Sequence, residues 1–252
     1  MANRGIDPKQ ALYLYGISKF PGGKASAKIT SSGIDGIHPV QAVACGDFLC
    51  WVSTVNANEF ADAVDRNMEN LEWLALHSVR HQQVVAELAA MGTIIPARFG
   101  TLFSSEHALM KNVEGRKAAL QKVFSRIAEA DEWGVKIFAE QAPAPPVTSQ
   151  ARSGKEYLQQ KAARLKRRPE RDKAGLQEFA TGLEKIATDS APTGKVSGVQ
   201  PNLLWQATFL VPRSKRKQWD QALKEFLKKW SGKRRIEVNG PWPPYSFVSD
   251  AE

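Results

Sequence analysis

The chain has 252 residues, 42% of them hydrophobic and 24% charged, with a formal net charge of +9. That size and composition suit one large or two small globular domains whose core needs no disulfide staple. No apolar run approaches the roughly 18 residues of a spanning helix, and the polar first ten residues lack a secretory h-region, so the expectation is a cytoplasmic protein outside the membrane. The charge is uneven: residues 1–150 carry 14 Lys/Arg against 15 Asp/Glu, and residues 151–252 carry 21 against 11. Such asymmetry assigns the two halves different surroundings and favours the second half as the one that meets an acidic partner.

Residues 12–17 (LYLYGI) form a short aromatic and aliphatic run that predicts a buried first strand, closed by Pro21-Gly22-Gly23. Residues 40–45 and 48–54 predict a hairpin turning on Gly46-Asp47. In that register Cys45 faces Phe48 and Cys50 faces Val43, so the two cysteines are read as small strand residues without a disulfide. Asn58 predicts the N-cap of a helix from Glu59, and a longer helix follows over 69–90, with Leu74, Ser78, His81, Val85 and Leu88 on its core face and Gly92 ending it. Residues 93–103 read as extended, with Pro96 arguing for an edge or a bulge. A helix over 105–131 places Leu109, Val113, Leu120, Val123, Phe124 and Ile127 inward, with a break near Gly115.

Residues 133–139 alternate as a strand, and 141–149 hold three prolines and read as a loop. Residues 151–188 are helical in composition, basic up to Lys173, and broken before Pro169. After a Gly/Pro/Ser-rich stretch over 191–200, residues 203–211 predict a strand. Pro212 opens a basic amphipathic helix with Trp219, Leu223, Phe226, Leu227 and Trp230 on its apolar side. A last strand over 235–239 leads into the tail 240–252. The sum is an α+β protein of two domains, 1–132 and 133–252, the second an open sheet with helices on one face.

Motifs for chemistry are sparse. His77 and His81 stand one helical turn apart, but Ser78 replaces the glutamate of HExxH and no third ligand follows at a suggestive spacing, so no metal or cofactor is expected and His81 is read as a hydrogen-bonded packing residue. No phosphate-cradling glycine loop and no nucleophile elbow is present. The alternative to a protein-binding role is a basic nucleic-acid-binding module on a ferredoxin-like sheet, with Trp205 and Phe209 as its stacking pair. Its aromatic K/R-G-F/Y signature is missing, and core packing explains that pair at least as well.

Four stretches carry a family resemblance: residues 12–16 (LYLYG), 81–84 (HQQV), 95–103 (IPARFGTLF) and 240–248 (GPWPPYSFV). In this order they resemble the gas vesicle protein F/L family, over nearly the whole chain. The resemblance implies two domains, the C-terminal one a modified ferredoxin-like fold with a tail, and no enzymatic activity. It implies an accessory or minor structural protein of the gas vesicle whose partners are the small hydrophobic shell protein GvpA and other accessory proteins, with neither nucleic acid nor membrane. Such a helper makes physical sense, because a subunit built to line a gas-filled shell exposes apolar surface that aggregates.

The candidate partner-binding residues are Arg98, Phe99, Lys215, Arg216, Lys217, Trp242, Tyr245 and Phe247. Each has a plainer role beside it. Arg98, in an apolar run, is read first as a satisfied, partly buried guanidinium. The tail aromatics either dock on the body or face a partner, and docking is favoured because an unsupported aromatic tail is sticky. The basic helix is expected to pack on the second sheet and to turn its charged side outward.

Overall fold

The computed structural model describes residues 10–19, 29–62, 69–140, 175–191 and 202–248. The expected proline-rich loop at 141–149, the basic stretch up to Lys173 and residues 192–200 lie outside the described residues. The chain divides into two compact units, Met1–Glu129 with Trp242–Glu252, and Ala130–Pro241.

The first unit is built on β1 (Gln10–Lys19), β2 (Gln41–Cys45), β3 (Phe48–Asn56), β4 (Ile94–Pro96) and β5 (Leu102–Phe103). The order is β2-β3-β1-β4, with β5 also pairing β1. Strand β1 is central and covered on both faces, which is why residues 11–17 are continuously buried and why its sequence lacks polar alternation. Its register on β3 shifts between Leu14 and Gly16. The bulge leaves Tyr13 and Tyr15 in the same core cluster, with Trp51, Val55 and Val84. A Cβ on Gly16 would lie 2.5 Å from Ile94 Cδ1 and 2.9 Å from the Ile95 carbonyl, so the glycine is what lets β4 close on β1. Pro96 sits in that edge strand, as its missing N–H demands.

The β2–β3 hairpin has the expected register, with Cys45 opposite Phe48 and Val43 opposite Cys50. Both cysteines are free and buried. The helix expected from Glu59 opens with a π-helical turn over Asn58–Asp62, and residues 63–68 lie outside the described residues. The capping asparagine is Asn70, whose side chain accepts from the backbone N–H groups of Glu72 and Trp73 at the start of α1 (Leu71–Met91). The buried stripe of α1 is His77, His81, Val84, Val85 and Leu88. Leu74 and Ser78 are only half-buried, so the inward face is rotated slightly from the expected one. The helical stretch expected over 105–131 breaks at Gly115, as expected, into α2 (Glu106–Gly115) and α3 (Lys117–Ile127), and its last residues instead begin β6. Phe124 of α3 stacks on Phe48 at 5.7 Å, whereas Leu49 and Trp51 join the α1 cluster. Neighbouring strand residues point to opposite faces, so α1 and α3 cover opposite sides of the sheet.

The second unit runs β6 (Ala130–Ala139), α4 (Leu176–Glu184), β7 (Asp189–Ala191), β8 (Leu203–Pro212), α5 (Arg216–Lys229) and β9 (Arg234–Trp242). Its sheet order, β7-β8-β6-β9, with a helix after the first and third strands, is the ferredoxin-like split βαβ arrangement. Strand β7 is absent from the sequence reading; three residues with no alternation leave nothing for periodicity to detect. The core gathers Val135, Ile137, Phe179, Leu183, Phe209 and Trp219 from strands and both helices. Each such fully buried large side chain contributes about 1.5–3 kcal/mol of transfer free energy. Leu227, expected on the apolar side of α5, is exposed; Trp219, Leu223, Phe226 and Trp230 form the stripe without it. Gly240, at φ +139°, could not carry a Cβ without bringing it to 2.8 Å from the Glu132 carbonyl.

Candidate functional site: an aromatic node under the C-terminal tail

Three aromatic rings of the first unit pack around His81, Tyr13 at 5.7 Å, Tyr15 at 5.9 Å and Phe99 at 5.8 Å between centroids, and Phe60 stands edge-on to Tyr13 at 6.3 Å. A hydrogen-bonded line runs through them. The Gly100 N–H donates to Tyr13 Oη at 3.0 Å, Tyr13 Oη lies 2.9 Å from His81 Nδ1, and His81 Nε2 lies 3.2 Å from Tyr245 Oη in the tail. Gln82 Nε2 also donates to Tyr245 Oη at 3.3 Å.

Burial holds His81 well below its ordinary value, at about 4, against a smaller upward pull from the Ala97 carbonyl. The ring is therefore neutral at pH 7, with one donor and one acceptor nitrogen. In one tautomer Tyr13 gives its own proton to Nδ1 and Nε2–H donates to Tyr245 Oη. Burial likewise raises the Tyr13 phenol far above its usual range and the Tyr15 phenol to about 12, the latter despite hydrogen bonds from Ser53 and the Ile34 N–H. His81 thus has the packing role its sequence setting suggested. His77 is also engaged, its Nδ1 2.7 Å from the Trp73 carbonyl. Among the described residues no group of three or more His, Cys, Asp or Glu side chains is placed to hold a metal ion.

The node collects one element from each of the four stretches named above: Tyr13, His81 with Gln82, Phe99 with Gly100, and Tyr245. Beyond Tyr245 the tail continues inward. Phe247 is 3% exposed, Val248 is buried, and Arg126 Nη2 donates to the Phe247 carbonyl. Trp242 differs, at 54% exposed. Of the three tail aromatics, then, Tyr245 and Phe247 dock and Trp242 faces solvent.

The other candidate residues are scattered. Phe99 belongs to the node, edge-on to Tyr13 and Trp73 at 6.3 Å each. Arg98 is exposed, in a turn whose Arg98 carbonyl accepts from Thr101 N at 3.2 Å and Thr101 Oγ1 at 2.7 Å. The expected partly buried guanidinium is therefore corrected: the turn turns that side chain outward. Truncating an exposed arginine moves stability little, so Arg98→Ala should change the unfolding free energy by no more than about 0.5 kcal/mol. Paired thermal melts check this, and a loss of several degrees would restore the buried reading.

In the second unit Lys215 and Lys217 are exposed, but Arg216 is half-buried. Its guanidinium carbon lies 3.6 Å from the Trp133 ring centroid and its Nε bonds Asp220 Oδ1 at 2.9 Å, so it packs as well as carrying charge. Trp205 and Phe209 face the helices, Trp205 edge-on to Phe179 at 5.6 Å, and Phe209 is fully buried. Phe209 therefore offers no surface on which a base could stack, and Trp205 is half-buried against the core. Among the described residues no helix is long and apolar enough to cross a membrane.

These features place the chain in the class of two-unit α+β proteins that join a helix-covered sheet to a ferredoxin-like unit. The chain belongs to the gas vesicle synthesis protein GvpL/GvpF family, whose sequence model matches residues 11–249. It is 27% identical over 234 residues to gas vesicle protein L of Streptomyces sp. (strain CB03234), covering 87% of this chain and 86% of that one. It is 22% identical over 215 residues to gas vesicle protein F of Haloferax mediterranei, covering 85% of each. In three dimensions it resembles the crystal structure of gas vesicle protein GvpF from Anabaena sp. PCC7120, with a TM-score of 0.69 at 22% identity over 95% of this chain and 96% of that one. The family and the α+β fold expected from the sequence are both borne out. A role in gas vesicle assembly is consistent with that membership, and the family is not a known enzyme class.

Proposed function

We propose that the protein assists gas vesicle assembly, without catalysis, by holding the hydrophobic shell subunit at the nascent vesicle in the cytoplasm. The observation that carries this reading is the outward face of α1. Leu71 and Val79 are 78% and 56% exposed, Leu76 and Met91 are exposed with them, and the positions between are Ala75, Gln82, Gln83, Ala86 and Ala90. Glu72 is the one charged residue among the exposed positions of this helix. At 21 residues the helix offers a strip about 30 Å long. An exposed apolar strip of this kind marks a protein-binding surface, and an apolar subunit is the partner that complements it. This moves the main contact to the first unit, away from the basic half that charge alone favoured. Lys215 and Lys217 then act at a distance, raising the association rate with an acidic partner more than the affinity.

The test is capture of purified shell protein by the full chain. Leu76→Glu with Val79→Glu should weaken capture at least about tenfold with an unchanged melting point, since both side chains already face water. Lys215→Glu with Lys217→Glu should instead slow association at low salt and leave the final affinity nearly constant. Undiminished capture by the α1 variant would sink the reading.

A further inference from the structure

The outward side of α5 is a second recognition feature, on the other unit of the chain. Lys217, Lys224 and Lys228 recur at intervals of seven and four residues, so they line one crest of the helix, opposite the stripe of Trp219, Leu223 and Phe226 that packs into the core. Helical rise sets about 10.5 Å along the axis between the first two and about 6 Å between the last two. All three lysines are exposed, and none pairs with an acid among the described residues. The two acids of α5 are engaged beside the crest: Asp220 Oδ1 lies 2.9 Å from Arg216 Nε, and Gln221 Nε2 donates to Glu225 Oε1 at 2.9 Å. Residues 141–174 and 192–201, outside the described residues, carry ten Lys/Arg against three Asp/Glu, so they add positive charge to the unit rather than cancel it. Leu227, 44% exposed, stands beside Lys224 one turn on.

We propose that the crest of α5 docks an acidic helix of a partner protein, one with carboxylates set along it at the same intervals and an apolar residue that covers Leu227. Charge selects the sign of the partner, and spacing selects its form. A single exposed lysine–carboxylate pair is weak and screened by salt, so affinity requires several pairs made at once. A second helix makes them without rearrangement, because its rise repeats that of α5 and acids at intervals of four and seven meet the lysines in register. Leu227 fits the same partner: apolar cover removes it from water and fixes how far the two helices slide. A membrane surface is the poorer occupant. A helix lying in a bilayer interface needs its apolar stripe free, and that of α5 is buried in its own unit. Nucleic acid is poorer too. The crest holds lysines alone, with no exposed ring on which a base could stack, and the one arginine of α5 is committed to Trp133 and Asp220. The site shares only Lys217 with the long-range steering described above and does not rest on the α1 reading.

The experiment is a fluorescence-anisotropy titration of the full chain into a labelled, blocked peptide made of three repeats of Glu-Ala-Ala-Glu-Leu-Ala-Gln, which sets acids and leucines in one helical stripe. The control is a scrambled peptide of the same composition whose acids are spread round the helix. The striped peptide should bind in a salt-sensitive manner and the scrambled one at least about fivefold more weakly. Lys224→Glu with Lys228→Glu should weaken the striped peptide at least about tenfold at an unchanged melting point, since both side chains face water. Lys224→Arg with Lys228→Arg should keep the binding, and Leu227→Ser should weaken it about threefold. On addition of the striped peptide the backbone amide resonances of Lys224 and Lys228 should shift. Equal binding of both peptides, wild-type affinity in the double charge reversal, or resonance shifts confined to α1 would each overturn the proposal. So would tighter binding, at physiological salt, of a mixed-sequence DNA strand or of phosphatidylserine vesicles than of the striped peptide, since those outcomes give the crest to a nucleic acid or to a membrane. The final affinity of shell-protein capture by the Lys224→Glu, Lys228→Glu variant should remain at the wild-type level, which separates failure here from failure of the α1 reading.

Discussion

Lowering the pH from 6.5 to 4 is expected to cost the first unit up to about 3 kcal/mol of stability through His81 alone. The folded-state value is depressed to about 4 by burial, while the unfolded chain keeps the ordinary imidazole value of 6.5. The unfolded state therefore binds the proton first as the pH falls, and the neutral-histidine stabilisation, complete above 6.5, is lost progressively until the folded ring also protonates near 4. The acids that hold low values in the fold act in a later window. Glu87 is nudged up by burial but brought down to about 2 by the hydroxyl and N–H donors of Thr30 and Ser31, so its contribution fades only below its ordinary 4.5. Urea titrations at half-unit pH steps should show a slope between 6.5 and 4.5 in the wild type that is flattened in His81→Gln. Parallel curves for the two proteins would mean that His81 is not the group responsible.

Replacing Phe247 with alanine should destabilise the first unit by about 3–5 kcal/mol, the usual cost of emptying a buried phenylalanine site. The same change at Trp242, five residues earlier in the chain and mostly in water, should cost no more than about 0.5 kcal/mol. The contrast follows from what each side chain touches. Phe247 and Val248 are buried, Tyr245 closes the line from Gly100 through Tyr13 and His81, and Pro243 and Pro244 are buried between the two regimes. The prolines restrict the free tail and so reduce the entropy lost when it docks. Denaturant midpoints of the two single variants decide the matter. A large loss from Trp242→Ala with little from Phe247→Ala would reverse the assignment and make the docked residues the dispensable ones.

Local structure was legible where one physical rule acts over a few residues. Gly46-Asp47 set the hairpin register, the unbroken apolar run of 12–17 marked a strand covered on both faces, and Pro96 marked an edge. Errors arose where tertiary context overrode a local cue. Leu227 has the spacing of a core residue, yet Phe226 and Trp230 fill that side of α5. Arg98 looked buried because its neighbours are apolar, but a turn closed by Thr101 sends it outward. The node is a different case. His81 and Tyr245 are 164 residues apart, and no periodicity relates residues at that distance. Only the family resemblance put the four stretches side by side, and it said nothing of their meeting. The outward strip of α1 went unnoticed because a helix pattern is read for its buried side.

The return of the tail sets an order in time. The first unit is discontinuous, so its closing residues are made only after all of Ala130–Pro241 has been synthesised. At ordinary rates of translation that interval is on the order of ten seconds, ample for the ferredoxin-like unit to fold on its own core. Through that interval His81 lacks Tyr245, and the pocket for Phe247 stands open to water. A message cut short before residue 242 would yield a complete second unit attached to a first unit that cannot close, and proteases that sample open states would remove it. Docking of Tyr245 and Phe247 thus marks the moment at which the first unit closes.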